Sequence, residues 1–265
     1  MLKDITLGQY FPGDTVVHRL DPRTKLLLVV IYIVGLFNAV GWASYAFVIL
    51  VTAMSMAISK IKPKSALKGL KPVIIIIILT AVLNIFYTGG TPIIEGWIIT
   101  WEGIERAVMM SLRIILLIVG TFMLTYTTSP IALTDGLEIM MGPLKKIKIP
   151  VHEMSMMMSM ALRFIPTLIE ETDKIMSAQK ARGADFDSGN LFQRAKALLP
   201  ILVPLFVSAF RRADELAVAM ESRCYHGGKG RTRMKQLRMQ GIDAWALVLG
   251  AVFLAAVFAM KHFGL

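Results

Sequence analysis

The sequence predicts an all-α, polytopic membrane protein with about five transmembrane helices and a cytoplasmic domain containing two long amphipathic helices. Three observations lead there. The 265 residues are 55% hydrophobic, with a mean hydropathy of +0.63 and a formal net charge of +11, a combination of apolar spans and basic segments foreign to soluble domains. Apolar runs recur at lengths near the roughly 20 residues that cross a hydrocarbon core about 30 Å thick. Lysine and arginine gather in some of the connections between these runs and not in others.

The spans follow in order. The first lies within Lys25 to Asn38 and the second runs from Trp42 to Ser59. A third follows Pro72 through VIIIIILTAVLNIFY, a fourth runs from Ala107 to about Thr127, and the last from Ala244 to Met260. The segmentation is therefore residues 1–128 as a membrane domain of four spans, 129–241 as a cytoplasmic domain, and 242–265 as the last span. No cleavable signal peptide is expected, because the first 25 residues include Asp4, Asp14, Asp21 and several basic groups with no apolar block.

Orientation follows from charge. Lys60, Lys62, Lys64, Lys68 and Lys71 fill the connection between the second and third spans without an acid, which places it in the cytoplasm. The next connection carries Glu95, Glu102 and Glu105, with Arg106 only at its edge, and is expected outside. The N-terminus is then cytoplasmic and the C-terminus external. At the start of the first span, Asp21 can cap a helix, Pro22 suits its first position, and Arg23 and Lys25 hold the cytoplasmic end.

Several chemistries find no support. Cys224 is the single cysteine, so it forms no intrachain disulfide, and His18, His152, His226 and His262 are dispersed without metal-ligand spacing. No G-x-x-x-x-G-K-[ST] phosphate cradle is present; HGGKGRT has the wrong order and spacing. A membrane-embedded enzyme would need a cluster of His, Asp, Glu or Cys at one depth of the spans. Arg113 is the one candidate for an intramembrane charge, and a basic group that close to a helix end is expected to snorkel outward.

The segment from Ser129 to Gly241 has seventeen Lys and Arg against eleven Asp and Glu, yet it is too apolar for a solvated loop. A short helix is expected from Ile131 to Met141, ended by Gly142 and Pro143. Two long helices follow, over about 152–183 and 191–225, each with an apolar first half and a charged second half, lying along the cytoplasmic membrane surface. Neither ALLPILVPLFVSAF nor the stretch from Met154 to Ile169 is long enough to span.

Their second halves align at an offset of 41 residues, with TDKIMSAQKARG (Thr172 to Gly183) over ADELAVAMESRC (Ala213 to Cys224). Arg182 follows Ala178 and Ile175 on one helical stripe, and Arg223 follows Ala219 and Leu216. Small neighbours let a helix end approach another surface, and a guanidinium then reaches carboxylates or carbonyls in a fixed fork. One last-turn arginine is explained by the helix dipole alone, and Gly183 as a plain C-cap. Two arginines sharing a register over twelve residues point to a paired role.

These residues resemble the transmembrane, or T, component of energy-coupling factor (ECF) transporters, a kind of ABC importer. The resemblance rests on HRLDPRTKL, on TTSP followed by a short helix, on ALRFIPTL, and above all on AQKARGADF with SRCYHGGKGRTRM after it. It implies a non-catalytic scaffold and transducer in a prokaryotic cell membrane, joining two cytoplasmic ABC ATPases to a small membrane-embedded S component that binds the substrate, a vitamin or an ion. ATP and Mg are then bound by the ATPases and no cofactor by this chain, and no nucleic acid partner is implied. Carried over by position, the ATPase-coupling residues are Arg182 between Ala181 and Gly183, and Arg223 between Ser222 and Cys224. The family's second motif is usually Ala-Arg-Gly. Because cysteine terminates a helix less well than glycine, the second helix is expected to run on toward Gly227 and Gly228. The difference between the two motifs suggests two different ATPase polypeptides.

EMSMMMSM places Met154, Met156, Met157, Met158 and Met160 at the start of the first long helix. Flexible, polarizable side chains suit a surface that fits several partners. The resemblance makes Met154, Met157, Met158 and Met160 a docking face for interchangeable S components; packing against the chain's own spans is the alternative. At the level of function, the alternative is a self-sufficient secondary transporter or channel with its own midplane site.

Overall fold

The computed structural model describes residues 10–92, 99–186, 190–227 and 237–264. Its architecture is all-α. In chain order the helices are α1 (Val16–Arg19), α2 (Pro22–Asn38), α3 (Gly41–Ser59), α4 (Pro63–Leu70), α5 (Ile74–Tyr87), α6 (Trp101–Thr127), α7 (Pro130–Met140), α8 (Val151–Ala181), α9 (Leu191–Glu221) and α10 (Gly241–His262). Among the described residues, four helical stretches are long and apolar enough to cross a membrane: α3, the continuous stretch Pro63–Tyr87, α6 and α10. The first expected span, α2, has 17 residues, about 25 Å at 1.5 Å per residue, and needs flanking residues to reach both interfaces. At 31 residues each, α8 and α9 are longer than any of these and are not among the four.

The chain forms two compact units, one of residues 10–136 and 237–264 and the other of residues 137–227. In the first, α2 is the hub. Its Gly35 lies so close to α10 that a Cβ there would stand 2.6 Å from the ring of Phe253, and a Cβ on Gly250 would stand 2.7 Å from Leu28. Small residues at such crossings let backbones approach where the hydrophobic effect offers no drive between helices. Leu36, Tyr45, Val48, Leu116, Phe253 and Val257 form the core around that contact. Tyr32 extends it to α3 and α6, donating to Leu116 O at 3.0 Å and sharing a 3.0 Å hydrogen bond with Thr52 Oγ1. Around α5 the apolar side chains point outward, with Ile75, Ile78 and Leu79 all exposed, as lipid or a partner requires.

The start of the first span is more closely knit than a charge anchor. Asp21 caps α2 by accepting from Arg23 N–H at 2.9 Å, with Pro22 in the first turn. Arg23 donates to Leu237 O at 3.0 Å, and Lys25 is buried, donating to Thr127 O at 2.8 Å and His18 O at 3.1 Å. Lys25 thereby satisfies a carbonyl at the end of α6. Asp243 is buried at the start of α10, where it accepts from Gln240 N–H at 2.7 Å and from Asp21 N–H at 2.8 Å.

Arg113 turns toward the near end of its helix and lands on protein. Its Nε donates to the Tyr45 hydroxyl at 3.0 Å and a terminal nitrogen to Ala39 O at 3.3 Å, with the guanidinium 5.9 Å from the ring centroids of Phe37 and Tyr45. It ties α6 to the turn between α2 and α3.

Candidate functional site

The second unit is built on α8 and α9, which run antiparallel. Gln179, near the end of α8, donates to Pro200 O near the start of α9 at 3.4 Å. Halfway along, Arg212 donates to Glu171 at 3.1 Å and lies 5.7 Å from the Phe164 ring centroid. At the other end, Met156, Met160 and Arg163 of α8 share a cavity of about 630 Å³ with Leu216 and Met220 of α9 and with Arg223 just beyond it. Arg182 and Arg223 thus stand at opposite ends of the pair, each eleven residues beyond the central contact, or about 16 Å along its own helix.

Glu171 and Arg212 are themselves 41 residues apart, the same offset that superimposes the two arginine motifs. When residue i of one helix touches residue i+41 of its antiparallel partner, that contact marks a local pseudo-twofold axis. The sequence echo is therefore a structural one, with its centre at an ion pair.

Both helix ends close in the same way. Beyond α8, Gly183 takes φ +88°, its N–H donates to Lys180 O at 3.0 Å, and Ala184 N–H donates to Gln179 O at 3.0 Å. Beyond α9, Cys224 takes φ +55°, its N–H donates to Glu221 O at 2.8 Å, and Tyr225 N–H donates to Met220 O at 3.1 Å. These are two Schellman caps in one register, with the coupling-candidate arginine as the last residue before the left-handed one. This corrects the expectation that α9 runs on toward Gly227 and Gly228: the helix ends at Glu221, because Cys224 adopts the backbone conformation that glycine favours. Ala181, Arg182 and Gly183 are exposed, as are Ser222, Arg223 and Cys224. Among the described residues, neither arginine side chain has a hydrogen-bonding or ionic partner. The GRTR stretch, Gly230 to Arg233, lies outside the described residues.

The methionines divide between two faces. Met154, Met157 and Met158 are 47, 60 and 52% exposed and share one stripe by their spacing of three and four, whereas Met160 faces the cavity beside Arg223. On α9, Val203, Phe206, Val207 and Phe210 repeat that spacing and are all exposed. Among the described residues, the two long helices therefore carry exposed apolar stripes in their first halves and, just past their last turns, arginines without side-chain partners. Among the described residues, no group of three or more His, Cys, Asp or Glu is placed to hold a metal ion.

Apolar spanning helices together with this antiparallel pair define a multi-pass α-helical membrane protein. The family model described as a cobalt transport protein, CbiQ, matches residues 13–235. Curated relatives called "Energy-coupling factor transporter transmembrane protein EcfT" are 57% identical in Clostridium kluyveri, over 92% of each chain, and 52% identical in Ruminiclostridium cellulolyticum, over 99% of each chain. One from Bacillus subtilis is 47% identical over 98% of this chain and all of its own. The chain belongs to this family of energy-coupling factor transporter transmembrane components, a transport subunit and not an enzyme.

Proposed function

We propose that the chain transduces ATP-driven motion of two cytoplasmic ABC ATPases into substrate release by a membrane-embedded S component, in a prokaryotic cell membrane. The observation that carries this reading is the pair of equivalent caps presenting Arg182 and Arg223, exposed and without partners among the described residues, at opposite ends of two paired helices. Each cap ends a helix in small residues, which lets an ATPase groove close around the guanidinium. ATP and Mg belong to the ATPases and no cofactor to this chain. The exposed stripe of Met154, Met157 and Met158, with the apolar face of α9, is the surface for an S component, whereas Met160 lines the cavity beside Arg223. The lysines from Lys60 to Lys71 put the N-terminus and the helix pair on the cytoplasmic side and the C-terminus outside. The substrate, a vitamin on this reading, is held by the S component.

The test is Arg182→Ala combined with Arg223→Ala in the full complex in proteoliposomes. Uptake is lost, and the ATPases either dissociate or hydrolyse ATP without transport. A double variant that transports at the wild-type rate removes the centre of the reading. A chain that transports in liposomes without partners is a self-sufficient carrier. Recovery of two different ATPase polypeptides from the native complex is also expected.

A further inference from the structure

The cavity at the Arg223 end holds a second cation. Arg163 projects from the first half of α8 and lines the same 630 Å³ space as Arg223, between walls formed by Met156, Met160, Leu216 and Met220. Neither guanidinium meets a carboxylate or makes a side-chain hydrogen bond among the described residues. Arg212, by contrast, is neutralised by Glu171, and Arg113 is held by Tyr45 and Ala39. An incoming pair of carboxylates can accept forked hydrogen bonds from both guanidiniums, from two helices at once. The methionine walls adapt to the shape of what enters.

The Arg182 end differs. The 41-residue offset that equates Arg223 with Arg182 equates Arg163 with Pro204, which carries no charge. The Arg182 end has its own second cation in Lys196, exposed one turn before Pro200 on α9, an ammonium where the Arg223 end has a guanidinium.

We propose that Arg163 is a second anchoring residue of the Arg223 site, forming with it a two-guanidinium receptor for acidic side chains on the ATPase that engages this end. This rests on the reading of Arg223 as an ATPase contact. It gives the two ends different receptors, a pair of forked guanidiniums at one and an arginine with a nearby ammonium at the other, which is a physical cause for two unlike ATPases.

The experiment titrates the ATPases purified from the native complex onto the full-length chain, held with its S component in nanodiscs, and measures Kd for single and double variants. Arg163→Gln and Arg223→Gln each weaken binding roughly tenfold. Their combination falls well short of the product of the two, since they serve one receptor, whereas Arg163→Gln with Arg182→Gln multiplies. Arg163→Lys restores part of the loss, which also shows that the site is folded. The proposal is overturned if Arg163→Gln leaves Kd within about twofold while Arg223→Gln weakens it, or if those two effects multiply in full; the coupling role of Arg223 then stands. It is equally overturned if Arg163→Gln changes only binding to vesicles of anionic phospholipid, which would make the cavity a lipid site. If neither Arg182→Gln nor Arg223→Gln changes Kd, the coupling reading itself fails.

Discussion

Cys224 holds the left-handed turn after α9 that Gly183 holds after α8, at φ +55° against +88°. A side chain in that region costs roughly 1–2 kcal/mol, which glycine avoids at an entropic cost of about 0.5–1 kcal/mol. Cys224→Gly is therefore expected to stabilise the end of α9 by about 0.5–1 kcal/mol, and Gly183→Ala to destabilise the end of α8 by a similar amount. Hydrogen exchange of the Tyr225 and Ala184 amides reads both, because these N–H groups close the caps. Faster exchange at Tyr225 in Cys224→Gly would contradict the assignment.

The exposed methionine stripe of α8 makes a separate claim. Replacing Met154, Met157 and Met158 together with aspartate introduces three charges where burial of each methionine is worth on the order of 1.5 kcal/mol. The S component is expected to be lost from the purified complex while both ATPases remain. Retention of the S component in stoichiometric amount would show that the stripe is not its surface.

Glu171 and Arg212 are only partly buried, with side chains 25 and 29% exposed, so their ion pair contributes at most about 1 kcal/mol to stability. Glu171→Gln should therefore leave the thermal midpoint almost unchanged. Transport per ATP hydrolysed should fall several-fold, because the contact fixes where the two helices cross. Exchanging the charges with Glu171→Arg and Arg212→Glu should recover most of it. A ratio unaffected by Glu171→Gln would leave the pair a surface ornament.

Asp243→Ala removes the acceptor for both Gln240 N–H and Asp21 N–H inside a buried cluster. Loss of a cap costs about 0.5–2 kcal/mol and an orphaned buried amide about 1–3 kcal/mol, so a loss of about 2–4 kcal/mol is expected in detergent unfolding. Asp243→Asn keeps an acceptor oxygen and should lose less. Equal losses in both variants would shift the explanation from hydrogen bonding to charge.

Much of this molecule was legible in its sequence because the strongest signals are periodic or compositional. Apolar runs gave the membrane-crossing helices, and Asp21 with Pro22 announced the start of α2, where the side chain caps as its position suggests. The offset echo around Arg182 and Arg223 pointed to the end of α8, where Gly183 closes the helix. Long-range pairing was not legible. Asp243, inside GIDAWAL, reads as a polar residue at the start of a span, and nothing local ties it to Asp21, 222 residues away. Lys25 reads as a charge at the membrane surface, yet it is buried against the end of α6. The stopping point of α9 was misread because cysteine has little preference for positive φ, and the backbone bonds to Met220 and Glu221 outweigh that reluctance.

Because the Glu171–Arg212 contact sits the same eleven residues from each arginine, the helix pair is an equal-armed balance. On the proposed coupling, a push at one tip and a push of the same size at the other produce matching torques about the crossing, so neither ATPase has leverage over its counterpart. Any bias in the stroke must come from how tightly each tip is gripped, not from the length of the beam.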